Sequence, residues 1–357
     1  MIKIDLITGF LGAGKTTFLK KYADFLIRKG MNIGILENDY GAVNVDMMLL
    51  QDLMGDHCEL EMVAGGCHRD CHRRRFQSKL IAMGMCGYDR VLVEPSGIYD
   101  VDEFFDVLHE DPLEQWYEIG NVIAIVDAKL EEDLSEEAEY LLASEVADAG
   151  CVVMSKSQDA SETEIAETIR HLNRALGAAR CSRRFGFEAM EMAKCDRQLG
   201  SEAMEMAKCG SLLGFEAIDT AQCGCRLGSD VITGDWNLFT ESDFERILSC
   251  GYRNESFQKR SAEDELFSSV YFMNVRMSEE ELRSAVGRIF MDEACGNVFR
   301  IKGFLRVPGE ADAREDTWVQ LNATRSEVTL SPIQAGQEVL IVIGENLHEE
   351  AIQVQLG

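Results

Sequence analysis

The chain has 357 residues, enough for two domains and for a sizeable buried core. Its formal net charge of -28 at pH 7 repels phosphate backbones and anionic lipid, so neither nucleic acid nor an acidic membrane is expected as a partner. Twelve cysteines, with no leader pattern in Met1 to Phe10 and no stretch of membrane-spanning length, are expected to be reduced thiols or metal ligands of a cytoplasmic protein.

The first predicted elements are a strand, a glycine-rich turn and a helix start, over IKIDLITGFLGAGKTTFL from Ile2 to Leu19. Gly9 to Thr16 fits GxxxxGK followed by Ser or Thr at every fixed position, directly after an apolar run. A polyphosphate needs many donors at short range. Gly9, Gly12, Ala13 and Gly14 allow backbone N–H groups to point inward beside a helix N-terminus. Lys15 is expected to reach the β/γ-phosphates, and the Thr16 hydroxyl to take a place in the Mg²⁺ shell, with Thr17 completing the phosphate-binding set.

Thr17 to Lys29 reads as a helix ending at Gly30, and Asn32 to Leu36 as a buried strand. Glu37 to Asp46, ENDYGAVNVD, is expected as a polar loop beyond that strand, where open α/β sheets hold ligands; Asp39 is a candidate there for Mg²⁺ or water. Ala64 to Arg75 packs Cys67, His68, Cys71 and His72 ahead of three arginines. With a helix starting near Cys67, the two cysteines fall four apart on one face, and so do the two histidines. That spacing suits either a chelating pair or two free thiols at a loop-to-helix junction.

Arg90 to Val93 reads as a buried strand ending at Glu94-Pro95-Ser96-Gly97, a Walker B arrangement in which Glu94 serves the metal or water and the Gly97 N–H faces the γ-phosphate. Further strands at Val122 to Val126 and Cys151 to Met154 complete an α/β fold with a mostly parallel sheet covered by helices.

GFLGAGKTT, ENDYG, GGCxxxC at Gly65 to Cys71, EPSG at Glu94 to Gly97 and SKSQ at Ser155 to Gln158, in that order, resemble the CobW family of metal-handling P-loop GTPases. The resemblance implies a metallochaperone that couples GTP and Mg²⁺ to binding and delivery of a transition metal, Zn²⁺ or Co²⁺, to a client metalloprotein. It implies Glu37, Cys67 and Cys71 as metal ligands, Lys15, Asp39 and Glu94 as the catalytic set, and Ser155, Lys156 and Gln158 as base-reading residues. Arg69 and Asp70 stand where the family pattern CxCC has its second and third cysteines, and SKSQ replaces the guanine-reading NKxD. A Gln158 amide accepts hydrogen bonds without the charge assistance of the usual Asp. Two other readings share the phosphate loop: a kinase acting on a small acceptor, and a nucleotide-gated metal sensor with little turnover.

Cys181 to Gly228 repeats with a period of 14, marked by Cys181, Cys195, Cys209 and Cys223. The expected organisation is a P-loop domain over 1–178, the repeat as an insertion over 179–228, a linker over 229–264 and a small α+β domain over 265–357. The last part reads β-α-β-β-β-β-α, with a capping box at Ser278 to Glu281 opening its first helix.

Overall fold

The computed structural model describes residues 1–39, 46–65, 69–99, 101–131, 133–177, 227, 230–253, 267–307, 317–334 and 336–357. The 14-residue repeat lies outside the described residues apart from Leu227.

The first domain follows the predicted alternation. Strand β1 (Ile2–Thr8) leads into α1 (Lys15–Arg28), then β2 (Ile33–Asp39), α2 (Asp46–Leu50), β3 (Cys58–Ala64) and α3 (Arg69–Met83). Next come β4 (Arg90–Pro95), α4 (Val101–Leu108), α5 (Leu113–Trp116), β5 (Tyr117–Asp127), α6 (Glu136–Ala147), β6 (Cys151–Ser155) and a helix, α7, over residues 162–177. These strands and β7 (Val231–Ile232) form one sheet in the order β3-β2-β4-β1-β5-β6-β7, with every pairing parallel. Central strands such as β4 are buried along their whole length, which is why they read as continuous apolar runs rather than alternating ones.

The expected linker over 229–264 is corrected by this sheet. Residues 230–253 belong to the first domain: β7 adds its last strand, and α8 (Glu241–Leu248) lays Phe244 on Phe25 of α1 with rings 5.2 Å apart. Residues 254–264 lie outside the described residues. The polar composition that suggested a linker belongs to a short amphipathic helix that buries Phe244 and Ile247.

The second domain is a five-stranded antiparallel sheet built from β8 (Phe267–Met273), β9 (Asn297–Val307), β10 (Thr317–Ala323), β11 (Val328–Ile333) and β12 (Val339–Glu345). Their order is β11-β10-β9-β12-β8. Helices α9 (Glu279–Met291) and α10 (Glu349–Leu356) bury Leu282, Val286, Ile289 and Ile352 against one face together with Ile301, Leu305 and Val342. The predicted capping box is present, with Ser278 accepting from the Glu281 N–H and the Glu281 carboxylate accepting from the Ser278 N–H.

The other face of that sheet is covered by the first domain. Phe299, Phe304, Val339 and Ile341 share one apolar cluster with Phe10, Leu11, Val93 and Val126. A residue of the glycine-rich turn itself, Phe10, is wedged edge-on between Phe299 and Phe267, with centroids 5.6 and 6.4 Å away.

Candidate functional site

The phosphate loop has the backbone its sequence demands. Gly12 and Gly14 sit at φ of 77° and 94°, a region that side chains with a Cβ rarely adopt. Lys15 and Thr16 open α1 and are buried. The Lys15 ammonium donates to the Gly9 carbonyl at 2.7 Å, and the Thr16 hydroxyl donates to Glu94 Oε1 at 2.8 Å. A hydroxyl and a carboxylate meeting at the start of a helix form a donor set of hard oxygens, the chemistry Mg²⁺ prefers. The residues present therefore fit that ion.

Glu37 and Asp39 stand on β2 itself, not in a loop beyond it, because the strand runs three residues past its predicted end. Pairing with β4 puts Glu37 in register with Glu94. Register partners on adjacent parallel strands project to the same face of the sheet, so the acid that bonds Thr16 and the expected transition-metal acid are neighbours. Both carboxylates are buried. Asp39, two residues along on the same face, meets Lys302 of β9 at 3.5 Å. Gly97 closes the cleft from β4, and a Cβ there would lie 2.8 Å from the Leu11 N.

The cysteine motif is described in part. Cys71 lies in the first turns of α3 and is half-buried, whereas Cys67 and His68 lie outside the described residues. Among the described residues, no group of three or more His, Cys, Asp or Glu side chains is placed to hold a metal. His72 parts from the predicted ligand face. It is fully buried, with Nδ1 3.2 Å from the Gly65 carbonyl and Nε2 2.7 Å from the Asn38 side-chain amide. Burial holds its pKa below the ordinary value, against the opposing pull of the Gly65 carbonyl, so the ring is neutral at pH 7 and donates from one nitrogen. The shorter contact takes the proton, so Nε2–H donates to the Asn38 Oδ1. The helix after the cysteine motif is thereby tied to the strand that carries Glu37 and Asp39.

At the segment expected to read the base, Ser155 is buried at the end of β6 and Lys156 takes a left-handed φ of 53°. The Lys156 ammonium lies 2.8 Å from Asp127 and 3.0 Å from Glu327. Burial alone would lower its pKa, but these two carboxylates outweigh that and raise it. Gln158 is exposed and donates to Asp159 Oδ2 at 2.9 Å. Ser157 is fixed from outside the motif, its hydroxyl accepting from the Gly234 N–H at 2.8 Å.

Several contributors were missed from the sequence. Trp236 stacks edge-on against Phe18 and donates to the Met154 carbonyl at 3.1 Å, bracing the helix start beside Gly14. From the second domain come Glu327 on Lys156, Thr324 against Gly12, and Lys302 on Asp39. The signal that could have found Lys302 is the pattern VFRIKGFL: Arg300 and Lys302 are charges two apart in an otherwise apolar stretch of a strand buried over most of its length.

A family model described as CobW/HypB/UreG, nucleotide-binding domain, matches residues 3–182, and one described as the cobalamin synthesis protein cobW C-terminal domain matches residues 268–357. The chain is similar to Zinc chaperone YjiA of Escherichia coli strain K12, 31% identical over 174 residues, which is 46% of this chain and 52% of that protein. It is also similar to Zinc chaperone YeiR of the same strain, 31% identical over 160 residues, 44% of this chain and 47% of that one. Zinc-regulated GTPase metalloprotein activator 1 of Schizosaccharomyces pombe is 22% identical over 177 residues, covering 47% and 42%. The chain thus spans about half the length of the curated relatives it matches. Among solved structures, the Zn(II)-bound YjiA GTPase from E. coli is 16% identical and covers 99% of this chain and 97% of that chain at a TM-score of 0.31. No helix among the described residues is long and apolar enough to cross a membrane.

Proposed function

The chain belongs to the CobW/HypB/UreG family, and on that footing we propose that it is an Mg²⁺-dependent GTPase whose nucleotide state sets its affinity for a transition metal, Zn²⁺ or Co²⁺, destined for a client metalloprotein. One observation carries the coupling: Glu94, which accepts from the expected Mg²⁺ ligand Thr16, is the register neighbour of Glu37. A change of charge at the nucleotide is felt one strand away, inside a buried cleft where screening by water is weak.

In the hydrolytic cycle, Lys15 and the loop amides hold the β- and γ-phosphates, and the Gly97 N–H faces the γ-phosphate. Asp39 or Glu94 orients a water for in-line attack. The bond from the γ-phosphorus to the bridging oxygen breaks, giving GDP and phosphate. Thr16, with Glu94 behind it, would hold Mg²⁺, which would supply charge neutralisation at the phosphates. Loss of the γ-phosphate releases the ends of β2 and β4. The His72 tie to Asn38 offers a route from there to α3, which carries Cys71. Glu37 with Cys67 and Cys71 forms the proposed cargo site, and Ser155, Lys156 and Gln158 read the base.

The relatives named as zinc chaperones support zinc as the first metal to test. The experiment is a chelator competition for Zn²⁺ and Co²⁺ on the reduced full chain, with Mg²⁺ and either GDP or a non-hydrolysable GTP analogue. A difference of about fivefold or more between the nucleotides is expected, the lower end of ordinary coupling between sites. Equal affinities would remove the metallochaperone reading and leave a nucleotidase.

A further inference from the structure

The cleft between the two domains gathers three carboxylates, Glu37, Asp39 and Glu94, and three cations, Lys15, Arg300 and Lys302. Lys15 is the cation a phosphate loop requires. The other two come from β9 of the second domain. Period-two alternation puts Arg300, Lys302 and Phe304 on the face turned to the first domain, while Ile301 and Leu305 face α9 and α10. Strand β9 lies in the middle of its sheet, bonded to β10 and β12 on either side, so the position of Lys302 along the cleft is fixed by two ladders.

Lys302 is only 6% exposed. An ammonium so buried is costly unless it is paired, and an apolar residue at the same place would usually serve stability as well or better. It pairs with Asp39 at 3.5 Å, the acid at the very end of β2 and a member of the expected catalytic set. Arg300 is steadied separately, its Nε donating to Asn322 of β10 at 3.1 Å. The second domain thus holds an acid of the first within the cleft that Lys15 and Gly97 also line.

We propose that Lys302 is a positioning residue for nucleotide hydrolysis, acting through Asp39, so that the C-terminal domain completes the hydrolytic site within one chain. The inference rests on the GTPase reading above. Lys302 fixes the Asp39 carboxylate at the cleft and contributes positive charge to the wall facing the incoming phosphate, a role performed in some other phosphoryl-transfer enzymes by a cation supplied from a second protein.

The test uses the full chain with Lys302→Met, which keeps length and removes charge, and Lys302→Arg, which restores charge. Phosphate release with Mg²⁺-GTP gives kcat and KM, and a fluorescent GDP analogue gives nucleotide affinity. Lys302→Met is expected to lower kcat by about tenfold or more while KM and nucleotide affinity stay within about twofold, and Lys302→Arg to recover most of the loss. In an Asp39→Asn background, Lys302→Met should add nothing further. That double variant also restores charge balance in the cleft, so it carries the comparison if Lys302→Met alone fails to fold. A wild-type kcat in Lys302→Met, or an equal loss whether or not Asp39 is present, overturns the proposal while leaving the GTPase reading intact. A wild-type chain that releases no phosphate overturns both.

Discussion

Phe10 sits at a position the phosphate-loop pattern leaves open, yet it is 7% exposed and wedged between two rings of the other domain. Truncating a buried phenylalanine to alanine costs about 3–5 kcal/mol, from lost burial plus the cavity left behind. Of that, each edge-on ring pair accounts for about 0.5–1.5 kcal/mol beyond area. Phe10→Ala and Phe299→Ala are each expected to fall in the larger range, since Phe299 is buried too. Combined, they should cost less than their sum by about 1 kcal/mol, because the 5.6 Å contact can be lost once only. Equilibrium urea unfolding of the four proteins, without nucleotide and followed by far-UV circular dichroism, measures the cycle. Additivity within about 0.3–0.5 kcal/mol would mean that the rings share no surface, and the docking of the second domain on the phosphate loop would be refuted.

Three other outcomes are expected. Asp5 is fully buried in β1 and accepts from the Tyr22 hydroxyl at 2.9 Å, from the Asn121 N–H at 2.8 Å and from the Arg90 guanidinium. Asp5→Ala leaves that arginine uncompensated and should cost about 3–5 kcal/mol by urea unfolding, whereas a loss under about 1 kcal/mol would show that the network is slack. Gly97→Ala forces the Leu11 backbone aside, an overpacking of about 1–3 kcal/mol, so GTP affinity by titration should fall about tenfold or more; unchanged affinity would separate Gly97 from the phosphate site. Glu145 is fully buried, and desolvation raises its pKa well above the ordinary carboxylate value, against a weaker opposing pull from Lys15. The folded chain therefore keeps a proton that the unfolded chain gives up above its ordinary pKa, so this residue lowers stability as pH rises. Glu145→Gln should gain on the wild type between pH 5 and pH 8, and a pH-independent offset in urea midpoints would contradict that sign.

How much was legible in the sequence varies with the range of the interaction. The glycine-rich turn, the apolar strands that follow one another at βα spacing and the capping box at Ser278 are set by neighbours a few residues apart, and all stand where they were expected. By sequence alone β2 ends at Leu36, because Glu37, Asn38 and Asp39 look like loop residues, although pairing with β3 and β4 keeps them in the sheet. Spacing groups His72 with candidate ligands because it cannot distinguish a helix face turned to solvent from one turned inward to Asn38.

The sequence by itself determined what phosphate chemistry requires of a short backbone segment: a turn of glycines, one lysine and one hydroxyl at the head of a helix. The tertiary structure alone decided that Glu94 should reach Thr16 across 78 residues of chain, that Glu37 should lie in register beside it, and that Lys302 should cross from another domain to Asp39. The reason is physical. Backbone conformation is governed by local sterics, whereas the order of parallel strands and the face each domain buries follow from the packing of helices and sheets that meet only when the whole chain has collapsed.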